Sequence, residues 1–126
     1  MPPHLATAYT RSRYQAAGID LRINRRNRAL DGLLAGMGAR QAVLITASNP
    51  HGRRAPPGRN ARSMERLHAA LGARTALPAE SGSGLWLEQH FMAAGPEAWM
   101  KRLGRRFRQV ALVRLRPGQA PRLLAL

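Results

Sequence analysis

Six residues, AVLITA at positions 42–47, constrain this chain most. The run is short, continuous and rich in β-branched side chains. It reads as a buried strand placed centrally in a sheet. A central strand needs neighbours, and the sequence supplies them. In GIDLRIN, Ile19, Leu21 and Ile23 alternate with Asp20, Arg22 and Asn24, the period of a half-buried strand. VALVRLR sets Val113 and Leu115 against Arg114 and Arg116, Pro117-Gly118 makes a turn, and PRLLAL returns as a terminal strand. TALPAESGSG reads as an extended segment followed by a turn. LWLEQHFMAAG alternates Leu85, Leu87, Gln89 and Phe91 with Trp86, Glu88, His90 and Met92, so either set fits an inward face.

Helix-period segments separate these strands. Residues 4–15 place Leu5, Ala8 and Tyr9 on one face. Asn27 is suited to cap a helix whose stripe is Leu30, Leu33, Leu34 and Met37, closed by Gly38. From Asn60, which reads as an N-cap, Met64, Leu67, His68 and Leu71 share a face up to Gly72. Pro96 opens PEAWMKRLGRRF, with Trp99, Leu103 and Phe107 toward the core. The order α-β-α-β-α-β-β-α-β-β implies an α/β (α+β) fold: a single mixed sheet with three to four packed helices. At 126 residues, the chain is expected to be one domain spanning 1–126, long enough for a core of its own.

Several function classes drop out. The chain has no cysteine, which excludes disulfides, thiolate metal sites and cysteine nucleophiles and favours a cytoplasmic location. The first residues carry no signal-peptide core, and no apolar run is long enough for a membrane span. The four histidines show no metal-ligand spacing, and no phosphate-loop or nucleophile-elbow motif is present, so neither metal nor cofactor is expected. The net charge of +15 points the other way, toward polyanions. Of the 21 basic residues all but Lys101 are Arg in an Ala-rich chain, a bias that GC-rich coding also produces.

Taken together, several segments resemble one family. AVLITASNP, the helix NARSMERLHAAL, LWLEQHFMAAG, RRFRQVALVRL and PRLLAL are similar, in that order, to the bacterial domain-of-unknown-function family 3293. The residues that carry the likeness are Tyr9, Tyr14, Thr46, Asn49, Pro50, Asn60, Leu67, Trp86, Glu88, Phe91, Arg106, Phe107 and Gln109. Ser48 stands where the family usually has Trp, Arg108 where it has Gly, and the usual acid before Trp86 is absent. The resemblance implies a compact α/β domain and no activity.

The strand-loop-helix passage ITASNPHGRRAPPGRNARSMERL is where function is expected, because anions bind at helix N-termini beyond strand ends. The candidate ligand-binding residues are Thr46, Asn49, His51, Asn60, Arg62, Glu88 and Arg106; no catalytic residue is assigned. Asn49 and Asn60 are equally suited to holding the loop, as an Asx-turn and a helix cap. Glu88, if inward, needs a partner, with Arg106 or Arg62 as the candidates. Single carboxylates argue against two-metal or glycosidase chemistry. The reading is a small basic protein binding an anionic ligand or nucleic acid. A small transferase or hydrolase acting on a phosphorylated or nucleotide substrate is one alternative. A protein adaptor using PRLLAL as an edge strand is another. The pattern sets no oligomeric state.

Overall fold

A computed structural model describes residues 1–83 and 86–126. They form the helices α1 (Pro3–Arg11), α2 (Arg28–Gly36), α3 (Pro57–Leu71) and α4 (Glu97–Arg106). The strands are β1 (Arg13–Ala16), β2 (Ile19–Leu21), β3 (Ala42–Ile45), β4 (Ala76–Ser83), β5 (Trp86–Ala94), β6 (Ala111–Leu115) and β7 (Arg122–Ala125). All join one sheet in the order β2-β1-β4-β5-β3-β6-β7, and every neighbouring pair is antiparallel. The expected single sheet with packed helices is present, an α+β fold.

The connections follow from this order. β3 and β4 run parallel with β5 between them, and β5 and β6 run parallel with β3 between them. The segment β3-α3-β4-β5-α4-β6 is therefore two interleaved split βαβ units, the ferredoxin-like arrangement. β3 is buried along its whole length, as its apolar sequence requires. Val43 and Ile45 pack with Met64, Leu67 and Leu71 of α3 and Met100 and Leu103 of α4. Ala42 and Leu44 belong to the other face, with Leu30 and Leu34 of α2, Tyr14 of β1 and Met92 of β5. Tyr9 of α1 packs against that second cluster.

Local details depart from sequence expectation in instructive ways. α1 ends at Arg11 because Ser12 is extended and its hydroxyl donates back to Ala8 O at 2.8 Å; Tyr14 then enters β1, so the helix expected over 4–15 is shorter. Asn27 caps α2 as expected, its side chain accepting from Ala29 N at 2.9 Å. α3 begins at Pro57, whose fixed φ suits the first helical position. Asn60 is therefore not its cap; its N–H already bonds Pro56 O, and its side chain is free for another use. In β5, Glu88, His90 and Met92 point to the α1–α2 face, while Phe91 and Ala93 point to α3 and α4. β4 continues to Ser83, and the turn expected before Trp86 lies outside the described residues. Among the described residues no helix is long and apolar enough to cross a membrane.

Candidate functional site

The carboxyl end of β3 is where the layers meet. Residues 46–49 follow the strand and are buried, and hydrogen bonds tie them to Asn60 of α3, to Gln109 after α4 and through it to Phe107, and to Glu88 and Gln89 of β5. Asn49 turns the chain in the left-handed region at φ 51°, away from αR as Pro50 requires. His51 follows at φ 61°, and its N–H donates to Arg108 O at 2.7 Å, where Arg108 itself stands at φ 58°. Among the described residues, three of the five non-glycine residues with positive φ thus sit at this one corner. Such conformations cost free energy and persist where the surroundings impose them, often at functional sites.

Two asparagines impose this one. Asn49 N–H donates to Asn60 Oδ1 at 2.9 Å, and Asn60 Nδ2 donates back to Asn49 Oδ1 at 2.9 Å. Ala55 N–H adds a third bond, to Asn49 Oδ1 at 2.9 Å, which ties down the far end of the loop. The remaining polar atom of the Asn49 side chain, Nδ2, donates to Glu88 Oε2 at 2.7 Å. Thr46 lies underneath: its hydroxyl donates to Gln89 O at 2.6 Å and accepts from Ser48 N–H at 3.0 Å. Gln109 Nε2 bonds Ser48 O at 3.1 Å and Phe107 O at 3.2 Å, fastening the end of α4 to the same strand.

Glu88 does not meet Arg62 or Arg106, contrary to the sequence expectation; both arginines belong to the opposite face of the sheet. Its carboxylate instead meets the ring of His90. The His90 Nδ1 lies 3.2 Å from Glu88 O, an acceptor, so Nδ1 carries the hydrogen. Nε2 lies 3.6 Å from Glu88 Oε1. Burial lowers the His90 pKa to about 4, partly offset by the Glu88 carbonyl, so the ring is neutral and the contact is not an ion pair. Burial also raises the Glu88 carboxyl, with the Asn49 amide working against it. Tyr9 is pushed up to about 12 by burial and then by the Glu88 charge. The Tyr14 phenol is raised for the same reasons and by Tyr9, and its ring meets His90 edge-on at 5.7 Å.

Three cavities flank this corner; one, about 380 Å³, is lined by the two asparagines, Ser48 and Ala55 themselves, and the other two lie one on each face. The first of these two, about 630 Å³, lies between α3 and α4 and is lined by Arg59, Arg62, Arg66, Arg106 and Arg108 over a floor of Ala47 and Phe107. The i, i+3, i+7 spacing puts the first three on one side of α3. No carboxylate lines this cavity, and none of the ion pairs among the described residues involves these arginines. The second, about 470 Å³, lies under α1 and is lined by Leu5, Tyr9, Asn49, Ser81 and Glu88 among others.

The candidate residues are thus divided. Asn49 and Glu88 share the cavity under α1, and Arg62 and Arg106 share the arginine cavity. Asn60 braces Asn49 between them, Thr46 is buried away from both, and His51 is exposed and lines neither. Arg59, Arg66, Arg108 and Leu5 were not among the candidates. The helical spacing of Arg59, Arg62 and Arg66 was a readable signal for the first two; nothing local marks Arg108 or Leu5. Among the described residues no three metal-ligating side chains gather.

Comparison with known proteins adds one match. Residues 45–112, more than half of the chain, match a family described as "Protein of unknown function (DUF3293)". No curated protein and no solved structure matches. The matched span runs from the end of β3 to β6 and takes in both asparagines, Glu88 and all five cavity arginines, and on that match the chain belongs to the DUF3293 family.

Proposed function

We propose that this protein binds phosphate-bearing ligands in the arginine cavity between α3 and α4. The observation that carries the reading is the five-arginine lining with no carboxylate among it. Guanidinium groups held together without a counter-charge repel one another, and an anion relieves that repulsion. Arginine forks match phosphate oxygens in bidentate geometry. The first turn of α3 adds the positive end of a helix dipole, and Arg62 folds back over it, its Nη1 3.5 Å from where a Cβ on Gly58 would lie. The net charge of +15 draws such ligands in from a distance.

A nucleotide and a nucleic acid offer the same phosphate chemistry, and binding measurements separate them. A single-stranded oligonucleotide is expected to bind with affinity that falls steeply with salt. Replacing Arg62 and Arg106 by Ala lowers the slope of log affinity against log salt by roughly one per arginine. The same change at Arg40 and Arg122, exposed residues at the opposite end of the sheet, alters it less. If a nucleoside monophosphate also binds and saturates with the same dependence on Arg62 and Arg106, the ligand is a small phosphorylated molecule. Equal effects of both variant pairs would reduce the binding to general charge and overturn the site.

A further inference from the structure

Among the ion pairs of the described residues none gives Glu88 an arginine or lysine partner, in a chain with 21 basic residues. That is unusual for an inward carboxylate, because an ionised acid taken out of water needs a charge or a full set of donors. Only 13% of its side chain is exposed. One oxygen, Oε2, takes the Asn49 amide at 2.7 Å. The other, Oε1, meets no hydrogen-bond donor among the described residues: His90 Nε2 stands 3.6 Å off, and that ring has committed its hydrogen to the Glu88 carbonyl through Nδ1. Every fully buried side-chain polar atom described has a hydrogen-bond partner, which leaves Oε1 as an accessible acceptor on the cavity under α1.

The rest of that cavity is of a different character. Leu5, Ala8 and Tyr9 of α1 line it, and Gly52 packs against Leu5, where a Cβ would lie 3.3 Å from Leu5 Cδ1. Arg11 is exposed on the same lining and makes no ion pair with Glu88. A volume of about 470 Å³ accommodates a small molecule rather than a side chain or an ion alone.

We infer that the cavity under α1 is a second site, which takes a small organic cation: an ammonium group on Glu88 Oε1 and an apolar or aromatic body against Leu5, Ala8 and Tyr9. The ligand supplies the charge that the fold withholds from Glu88. An ammonium near a tyrosine ring gains a further cation–π contribution. The site is distinct from the arginine cavity in face, charge and ligand class, and it stands or falls independently of phosphate binding.

The salt response distinguishes the two sites. The protein carries +15 overall, so a cation approaches against the field, and screening lowers that barrier. Amine binding is therefore expected to hold or strengthen as salt rises, while phosphate binding weakens.

Phenethylamine and its neutral counterpart phenethyl alcohol are suitable probes, titrated calorimetrically into the full chain at physiological salt. The amine is expected to bind at one site at least about tenfold more tightly than the alcohol, the scale of one charge-assisted hydrogen bond. Glu88→Gln removes the preference while keeping a carbonyl for the Asn49 amide. Leu5→Trp fills the cavity from α1 with the carboxylate intact and is expected to abolish amine binding, so the site remains testable should the Glu88 variant fold poorly. Equal binding of amine and alcohol, or amine binding that survives Leu5→Trp in a folded protein, would overturn the inference.

Discussion

Asn49 Nδ2 donates to Glu88 Oε2 at 2.7 Å, joining the end of β3 to β5 across 39 residues of sequence. Its Oδ1 meanwhile accepts from Asn60 of α3 and from Ala55 of the loop. One amide therefore links α3 and its preceding loop to the cavity under α1.

That link predicts a specific sensitivity. Asn49→Asp keeps size and the oxygen that accepts from Asn60 and Ala55 but loses the donor and sets two carboxyl groups together. Leaving the Glu88 oxygen unpaired and adding like-charge repulsion is expected to cost about 2 kcal/mol or more at pH 7. The two carboxyl groups then share a proton in the fold, so the folded state binds more protons than the unfolded chain and the deficit shrinks as pH falls toward 4.5. Urea denaturation at the two pH values measures this; a deficit unchanged by pH would remove the carboxyl contact as its cause.

Arg108 should show a trade between stability and binding. It closes α4 in a left-handed conformation at φ 58°, a position that favours glycine, and Gln109 N–H then bonds Gly104 O at 3.0 Å. Arg108→Gly is expected to raise stability by roughly 1 kcal/mol through relief of that backbone cost. The same variant removes one of five charges from the cavity and should weaken oligonucleotide binding. Thermal denaturation and a salt titration on one preparation read both effects. A variant that is more stable and binds unchanged would take Arg108 out of the site.

The His90–Glu88 pair sets two opposing pH dependences. His90 is held neutral, with its pKa lowered to about 4, so between pH 6.5 and 4 the unfolded chain takes up a proton that the fold refuses. Stability from this residue is full above 6.5 and is lost as pH falls through the window, a change of roughly 3 kcal/mol. Glu88 is shifted upward, so above its ordinary value the fold keeps a proton that the unfolded chain releases, and its contribution grows on acidification. His90→Phe retains a ring beside Tyr14 and is expected to be less destabilised by acid than the wild type, relative to each protein at pH 7. Denaturant midpoints across pH 4–7 test the sign; a steeper acid loss in the variant would reverse the assignment.

Much of the fold was legible in the sequence because its signals are local and periodic. The stripe Leu30, Leu34 and the stripe Met64, Leu67, Leu71 are buried as spaced, and the apolar run of β3 lies within the sheet, flanked by β5 and β6. β1 was hidden because RYQA is four residues long and continues a helix-like pattern that only Ser12 interrupts. The start of α3 was misplaced because Asn60 has the chemistry of a cap, and a contact 11 residues back in the chain claims it instead. The site divides in the same way. Asn49, Asn60 and Glu88 were identifiable as residues, but their separation from Arg62 and Arg106 depends on which face β5 presents, and an alternating segment leaves that choice to tertiary packing.

The central claim is that phosphate enters the cavity between α3 and α4, and amide chemical-shift mapping tests it most directly. A nucleoside monophosphate and a short oligonucleotide are titrated into labelled protein at moderate salt. The account predicts saturable shifts concentrated at Ala47, Arg59, Arg62, Ser63, Arg66 and Arg106 to Arg108, the residues that line the cavity. Shifts spread evenly over exposed arginines such as Arg25, Arg40 and Arg122, with none concentrated at the cavity, would contradict it.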